Sequence, residues 1–315
     1  MSLFESPELK NLSRYVRGYL GGLRSLCMDI EGEEFKYLEG GKEGSKAETI
    51  IFIHGMMGSK TQWRSMMRAY TEHYRVISLD VPGLSLHTNF AQKKHTLRQL
   101  AIWLEKVILH LRVANVHLVC HSMGCAVGAY FAATRPELVK SATFISFPDV
   151  FKNKGELFRE YLEEINDIMD SNSLLPLQNF YRRTFASPPT IPNVVLRYNL
   201  REVKKYKSRL VNSMHDLASS SPLLMAQIRQ IRSVTLILNG DEDRVTPLLR
   251  EPYWKITLPD AEYLQLSECG HMLHMEKAEF ASGLHREFLD RYRAAGAFEP
   301  RHDKSDDTGQ YAISD

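Results

Sequence analysis

Residues 116–125 (VHLVCHSMGC) are the stretch that most constrains how this chain can fold. The run VHLVC is typical of a short buried strand, and the small apolar residues at 124–133 (GCAVGAYFAA) are typical of a helix packed against a sheet. Ser122 lies between them, which predicts a sharp turn at the carboxyl edge of the sheet, where helix N-terminal N–H groups can stabilise a negative oxygen. Two interpretations follow: Ser122 is a nucleophile, or it is an ordinary helix N-cap.

The composition is that of a soluble globular protein, with 43% hydrophobic and 25% charged residues among 315. This length can bury one large core, or one core plus an inserted subdomain. The net charge of +2 argues against nucleic acid as a partner. The cysteines show no spacing typical of metal ligands, which favours reduced thiols in a cytoplasmic protein: Cys27, Cys120, Cys125 and Cys269. No signal peptide and no run of about 20 apolar residues is seen.

The N-terminal segment, residues 1–28, has an amphipathic pattern. Apolar side chains recur at helical spacing over residues 5–26, at Leu9, Leu12, Tyr15, Val16, Tyr19, Leu20 and Leu23. Basic residues outnumber acidic ones in the same segment. Either the predicted helix packs on its own domain, or it lies on an anionic membrane surface as a peripheral contact.

Predicted strands and helices alternate along most of the chain. Strands are expected at 34–38, 49–53, 76–79, 143–147, 234–238 and 263–266, with a turn at Gly40-Gly41, and helices at 60–70, 95–112 and 276–292. This alternation predicts an α/β fold with a doubly wound, mostly parallel sheet, whose core is formed by residues 29–147 and 228–295. Ligands of such sheets bind at the carboxyl ends of the strands.

The alternation fails between residues 148 and 227. Such a long insertion with helical and proline-punctuated apolar segments is interpreted as a helical lid over the sheet edge that carries Ser122. Its second half has a basic run from Arg197 to Arg209, which is either a solvated helix face or a contact for an anionic surface. Residues 296–315 lack an apolar pattern and are expected to be a disordered tail.

A hydrolytic serine needs a histidine base and an acid that orients it. His271 follows a predicted strand and a glycine, which places it at the same edge of the sheet as Ser122. His274 is expected to have a packing role, His121 to point in the wrong direction, and His54 to brace its own loop. For the acid, Asp243 follows another strand end, and its rivals are Asp241, Glu242 and the more remote Asp149. The order serine, acid, histidine is that of the α/β-hydrolases.

From about residue 33 to 292 the chain resembles the α/β-hydrolase superfamily, and within it most of all the monoacylglycerol lipase and carboxylesterase branch. The matching motifs are His54-Gly55, Asp80-x-Pro82-Gly83, the Cys120-His121-Ser122-Met123-Gly124 turn, Gly240-x-x-Asp243 and Gly270-His271. The resemblance implies nucleophile Ser122, acid Asp243, base His271, and an oxyanion hole from the backbone N–H groups of Met56 and Met123. The sequence departs from the family pattern at two positions. Cys120 stands where the turn usually has its first glycine, and Ser85 stands where a glycine usually follows the Asp80-x-Pro82-Gly83 motif.

The resemblance implies hydrolysis of a carboxylic ester, such as a monoacylglycerol or a similar lipid ester, through an acyl-enzyme, with no metal or organic cofactor. Two other chemistries use the same three residues: thioester hydrolysis, and carbon–carbon bond hydrolysis of aromatic ring-cleavage products. A different class remains open too, because some proteins of this fold are receptors or scaffolds without turnover. We expect a small-molecule ester or lipid substrate, no nucleic acid, and the membrane contact named above as an alternative to a purely cytoplasmic enzyme.

Overall fold

The computed structural model describes residues 22–42, 47–85, 94–148, 156–246 and 257–298. Within these residues the strands form one eight-stranded sheet in the order β1-β2-β4-β3-β5-β6-β7-β8. In this part of the chain two strand pairs, β1–β2 and β2–β4, are antiparallel and the other five pairs are parallel, so the sheet is mostly parallel, as predicted. The strand bounds are β1 Arg24–Ile30, β2 Glu33–Gly41, β3 Thr49–Ile53, β4 Arg75–Leu79, β5 Val116–His121, β6 Val139–Ile145, β7 Val234–Gly240 and β8 Glu262–Leu266.

Helices cover both faces of the sheet, as the continuous apolar runs of the central strands require. The helices of the sheet domain are α1 Arg64–Arg68, α2 Leu97–His110, α3 Met123–Thr134, α9 Leu273–Glu276 and α10 Ala278–Ala294. On β3, Ile51 and Ile53 belong to the apolar cluster that contains α2 and α3, whereas Ile50 and Phe52 belong to the cluster that contains α1 and α10. Successive side chains of a strand point to opposite faces, so one buried strand contributes to both clusters.

The predicted insertion between β6 and β7 is helical. Its helices are α4 Glu156–Asp170, α5 Leu175–Thr184, α6 Asn193–Lys205, α7 Lys207–Ser219 and α8 Ser221–Gln227, and we call the described residues 156–227 the lid segment. Leu177, Leu210 and Leu217 of this segment are buried in the same cluster as α2 and α3. Asp216 of α7 also accepts a hydrogen bond from the backbone N–H of His95 (2.7 Å), so the lid segment is fixed to the sheet domain beside α2.

The structure corrects the N-terminal prediction. The prediction of a helix over residues 5–26 is wrong at its C-terminal end, because residues 24–26 belong to β1. Residues 1–21 lie outside the described part of the chain. All seven residues of β1 pair with β2, and Met28 and Ile30 point into the core while their neighbours are exposed. Gly40-Gly41 is not a turn but the end of β2, paired with Val76 and Arg75 of β4.

Other boundaries shift as well. The helix expected at 60–70 is a 3₁₀ turn, Lys60–Trp63, followed by the short α1. The strand expected at 143–147 begins earlier and ends at Ile145, because Ser146 has a positive φ of 51°. The prediction of a disordered tail from residue 296 is wrong at its start, because Phe298 packs on His117 with ring centroids 5.0 Å apart. Residues 299–315 lie outside the described part of the chain. No helix among the described residues is both long and apolar enough to cross a membrane.

Candidate active site

Ser122 occupies a strained turn between β5 and α3. Its φ and ψ are 51° and −128°, which is a conformation that L-residues rarely adopt and that is found mostly at functional sites. The turn is held by hydrogen bonds from Ser122 N to Ile145 O (2.9 Å) and from Cys125 N to Ser122 O (2.8 Å). The Ser122 side chain makes no capping hydrogen bond to α3, so the N-cap interpretation does not account for this serine.

Glycines around this turn let three backbone segments approach one another. A Cβ on Gly124 would lie 2.4 Å from His54 O, and a Cβ on Gly55 would lie 2.8 Å from the Ser122 Cβ. Across β5 and α3, a Cβ on Gly128 would lie 2.3 Å from the Cys120 sulfur. Cys120 can therefore replace the usual glycine of this turn, because Gly128 leaves room for its thiol.

Asp243 and His271 form a buried hydrogen-bonded pair. His271 Nδ1 donates to Asp243 Oδ2 at 2.9 Å. Asp243 Oδ1 accepts from the backbone N–H groups of Val245 (2.9 Å) and Thr246 (2.8 Å), and the Thr246 hydroxyl donates to Oδ2 at 2.7 Å. Burial alone would raise the pKa of Asp243, but the charge of His271 and these donors hold that pKa below its usual value. The carboxylate thus keeps its charge and fixes the proton of His271 on Nδ1, leaving Nε2 to accept another.

The rival acids are used elsewhere. Asp241 is exposed and accepts a long hydrogen bond (3.4 Å) from Cys269 N, while Glu242 pairs with Arg244 at 2.9 Å. Asp149 lies outside the described residues. Of the three candidate acids that the structure describes, Asp243 is the one that contacts His271.

The other histidines near Ser122 have structural partners. His54 Nδ1 donates to Gly55 O (2.8 Å) and its Nε2 accepts from Val81 N (3.0 Å), so both nitrogens are engaged in bracing the loop, as expected. His121 Nε2 donates to the His271 carbonyl (3.0 Å), and its ring lies between those of His271 and His274, at 4.8 and 4.3 Å. Burial and the two neighbouring imidazoles lower the pKa of His121 well below its usual value.

Ser122 and His271 line the same cavity, of about 440 Å³, at the carboxyl ends of the strands. One wall comes from residues 55–59, 61 and 62, and the other comes from the lid segment. The lid residues are mostly aromatic or aliphatic: Tyr161, Leu177, Phe180, Tyr181, Thr184, Phe185, Tyr198, Asn199, Glu202 and Val203. Among the described residues that line it there is no Lys or Arg, and Glu202 is the one carboxylate. The largely apolar surroundings favour a neutral ligand with an apolar part.

The two residues expected to supply the oxyanion hole differ in position. Met56 lines the cavity. The next residue, Met57, has a φ of 57°, and its own N–H donates a hydrogen bond to Leu84 O at 2.9 Å. Met123 is the first residue of α3, so its N–H belongs to the unpaired N-terminal turn of that helix, but its side chain is buried away from the cavity. Among the described residues, no cluster of His, Cys, Asp or Glu has the geometry of a metal site.

Comparison with known proteins decides the family. The family model described as alpha/beta hydrolase fold matches residues 48–278. The chain belongs to the α/β-hydrolase family. The acetyltransferase component of the acetoin cleaving system of Pseudomonas putida is 29% identical over 259 residues; the match covers 80% of this chain but only 65% of that protein.

Solved structures agree with this assignment. A membrane phospholipase A described as a bacterial virulence factor has a TM-score of 0.74 and 25% identity, over 92% of this chain and 93% of that one. The naproxen esterase (carboxylesterase NP) of Bacillus subtilis has a TM-score of 0.71 at 18% identity, over 90% and 99%, which supports the fold alone. The predicted α/β-hydrolase fold with an inserted helical lid is therefore confirmed, while these similarities do not single out a monoacylglycerol lipase branch.

Several residues of this α/β-hydrolase site were not found from the sequence. Lys60, whose ammonium contacts the buried Asp80 carboxylate and whose N–H donates to Asp80 at 2.8 Å, anchors the 3₁₀ turn under the Met56 loop. Thr246 contacts both Asp243 and His271, the latter at 3.3 Å. Thr246 lies only three residues after Asp243, so an Asx-type turn after the acid was a readable signal, whereas nothing in the local pattern indicated that Lys60 pairs with Asp80.

Proposed function

We propose that this α/β-hydrolase is a serine esterase that cleaves carboxylic esters with an apolar acyl chain, with monoacylglycerols and similar lipid esters as its substrate class. The observation that carries the proposal is the buried Asp243–His271 pair, which opens on the same apolar cavity as a strained Ser122 whose hydroxyl caps no helix. A receptor or scaffold would have no use for this strain and this fixed tautomer together.

The reaction follows from this arrangement. His271 Nε2 takes the proton of Ser122, and the serine oxygen attacks the ester carbonyl. The N–H groups of Met56 and Met123 stabilise the negative oxygen of the tetrahedral intermediate. His271 then gives its proton to the leaving alcohol, and in the second half-reaction it activates the water that releases the acid. Asp243, held by Val245 and Thr246, stabilises the His271 cation in both steps.

The charge of the cavity favours esters over the products of aromatic ring cleavage. Opening of a catechol ring by dioxygen leaves a carboxylate on the product, and a buried carboxylate needs a cationic partner in addition to hydrogen bonds. The described lining residues include no Lys or Arg, and Glu202 would repel the anion. Thioesters share the neutral charge and apolar chain of esters, so a substrate panel has to separate these two.

A substrate panel tests this proposal. The panel contains p-nitrophenyl esters from acetyl to decanoyl, a monoacylglycerol, a thioester of the same acyl chain, and a ring-cleavage product that carries a carboxylate. Each buried CH₂ contributes roughly 0.8 kcal/mol, so four more carbons in the cavity should raise kcat/KM about two-hundredfold over acetyl. A preference for acetyl esters, or faster turnover of the ring-cleavage product, would contradict the proposal.

The outer face of α6 supports a second proposed property, contact with an anionic lipid surface. Val194, Val195 and Tyr198 are 74%, 42% and 48% exposed, and the basic Arg197 and Arg201 are exposed on the same helix. Tyr198 also lines the cavity, so this face borders the route to Ser122. Exposed apolar side chains beside cations are what a peripheral contact with anionic lipid requires, at about 1 kcal/mol per charge.

Vesicle co-sedimentation tests the lipid contact. Wild-type protein should bind anionic vesicles more strongly than neutral ones and should lose most binding at high salt. Val194→Ser combined with Arg197→Gln should weaken binding, whereas Arg98→Gln, on the exposed face of α2, should not. Equal binding to neutral and anionic vesicles, or an equal effect of the control, would contradict this part. Residues 1–21 of the N-terminal segment, proposed for the same role, lie outside the described residues.

A further inference from the structure

Glu276 joins the lid segment to the loop that carries His271. One carboxylate oxygen, Oε1, accepts a hydrogen bond from the backbone N–H of Gly270 at 2.9 Å, one residue before His271. The other oxygen, Oε2, accepts from the backbone N–H groups of Ala186 (2.8 Å) and Ser187 (3.2 Å), which follow α5 in the lid segment. Glu276 and Ala186 lie 90 residues apart in the chain, and this single side chain contacts both segments.

Other contacts show that the two segments are packed directly on each other here. Met272 N donates to the Thr184 carbonyl at 3.2 Å. A Cβ on Gly270 would lie 2.6 Å from Ala186 N, so the glycine lets the lid backbone approach the His271 loop. Thr184 and Phe185 line the cavity at Ser122, and they directly precede the residues that Glu276 binds. The position of this cavity wall is therefore tied to the position of His271.

We propose that Glu276 is a positioning residue that couples the lid to the catalytic base: it holds Gly270 and the Ala186-Ser187 turn at a fixed separation, and so sets both the alignment of His271 and the shape of the acyl cavity. This inference rests on the proposed esterase function for its kinetic consequences. Glu276 touches neither the substrate nor the reacting atoms, and its effect passes through Gly270 on one side and Ala186 on the other.

Only a carboxylate of this length fits both sides. Glutamine has one acceptor oxygen, so its NH₂ group would face an N–H donor, either that of Gly270 or those of Ala186 and Ser187. Aspartate keeps both oxygens but is one methylene shorter, so it can bind one segment and not both. In either variant a backbone donor loses its partner, and the link between lid and loop opens.

The test compares Glu276→Gln and Glu276→Asp with Glu279→Gln, an exposed residue at the start of α10 with the same change of charge. Three quantities are measured: the rate of Ser122 labelling by a fluorophosphonate, the ratio of kcat/KM for decanoyl and acetyl esters, and the rate of tryptic cleavage after Arg182 and Arg183. These arginines lie in the last turn of α5, just before the residues that Glu276 binds. Thermal unfolding shows that each variant is folded.

We expect Glu276→Gln to label at least about tenfold more slowly, to lose most of the decanoyl preference, and to be cleaved faster by trypsin, with Glu279→Gln like wild type. A merely structural role would lower the melting temperature without changing the decanoyl-to-acetyl ratio. Unchanged labelling and an unchanged ratio in folded Glu276→Gln, or equal effects in the Glu279 control, would overturn the inference; should the glutamine variant not fold, the aspartate variant decides by the same criteria. If wild-type protein neither labels nor cleaves esters, the proposed function fails, and the tryptic rates still test the link itself.

Discussion

Asp243→Asn is the substitution whose consequence follows most directly from the hydrogen bonds of the site. Asp243 Oδ1 accepts from two backbone N–H groups, Val245 at 2.9 Å and Thr246 at 2.8 Å. In the variant, the amide oxygen is therefore retained at this position, since an NH₂ group there would face two donors. The NH₂ group must then occupy the Oδ2 position, 2.9 Å from His271 Nδ1.

An NH₂ group at that position requires an acceptor on His271 Nδ1. The proton of the imidazole then moves to Nε2, the nitrogen that should take the proton of Ser122, so the base is in the wrong tautomer. The same substitution in serine proteases lowers kcat by about 10⁴. That factor corresponds to about 5 kcal/mol of lost transition-state stabilisation, at 1.36 kcal/mol for each factor of ten.

The assay is the acylation rate of Asp243→Asn and Asp241→Asn with one p-nitrophenyl ester, beside thermal unfolding of both. Asp241 is exposed and its side chain accepts a long hydrogen bond from Cys269 N, so Asp241→Asn is the matched control. We expect a loss of about 10³ to 10⁴ at Asp243 and less than a tenfold loss at Asp241. A larger effect at Asp241, or a loss below tenfold in folded Asp243→Asn, would refute this reasoning.

Two further predictions concern stability. His285 is fully buried and hydrogen-bonds with the Tyr70 hydroxyl at 2.8 Å. Burial lowers the pKa of His285 from 6.5 to about 3. The unfolded chain therefore takes up a proton at this histidine first, and the free energy of unfolding falls as the pH drops from about 6.5 towards 3. At pH 5 this loss of stability is about 2 kcal/mol relative to pH 8. In urea unfolding, the free energy of unfolding of His285→Gln should differ less between the two pH values than that of wild type. An equal difference in the two proteins would contradict the assignment. Gly128→Ala should destabilise the protein by about 1–3 kcal/mol, because the added Cβ would lie 2.3 Å from the Cys120 sulfur. In a double-mutant cycle, Cys120→Gly should restore part of this loss. Additive effects of the two substitutions would show that the two positions do not interact.

The central sheet could be predicted from the sequence because its strands are buried on both faces. Residues 49–53 and 116–121 are buried, and such positions favour a largely apolar run, which His117 and His121 interrupt in β5. The same reasoning fails at the edge of the sheet. In β1 only Met28 and Ile30 are buried, so the local pattern is weak, and its strand conformation depends on pairing with β2. The helical spacing of the preceding leucines extended the predicted helix into it.

The candidate site shows the same division. Ser122, His271 and Asp243 could be placed from the sequence because each follows a strand end, and the carboxyl ends of parallel strands meet at one edge. Glu276 and Lys60 could not, because their partners are backbone or side-chain groups that only the folded chain brings near: Ala186 lies 90 residues from Glu276, and Asp80 lies 20 from Lys60. Which aromatic residues of the lid face the cavity likewise depends on how its helices pack.

The most direct test of the account is to locate the covalent adduct of a fluorophosphonate by peptide mass spectrometry, on wild type and on Ser122→Ala. Ser122 is predicted to carry the adduct, because it alone among the described serines combines the strained turn with the cavity of His271. We expect one modified peptide, containing Ser122, and no adduct in folded Ser122→Ala. An adduct at another serine, or labelling that persists in the alanine variant, would contradict it.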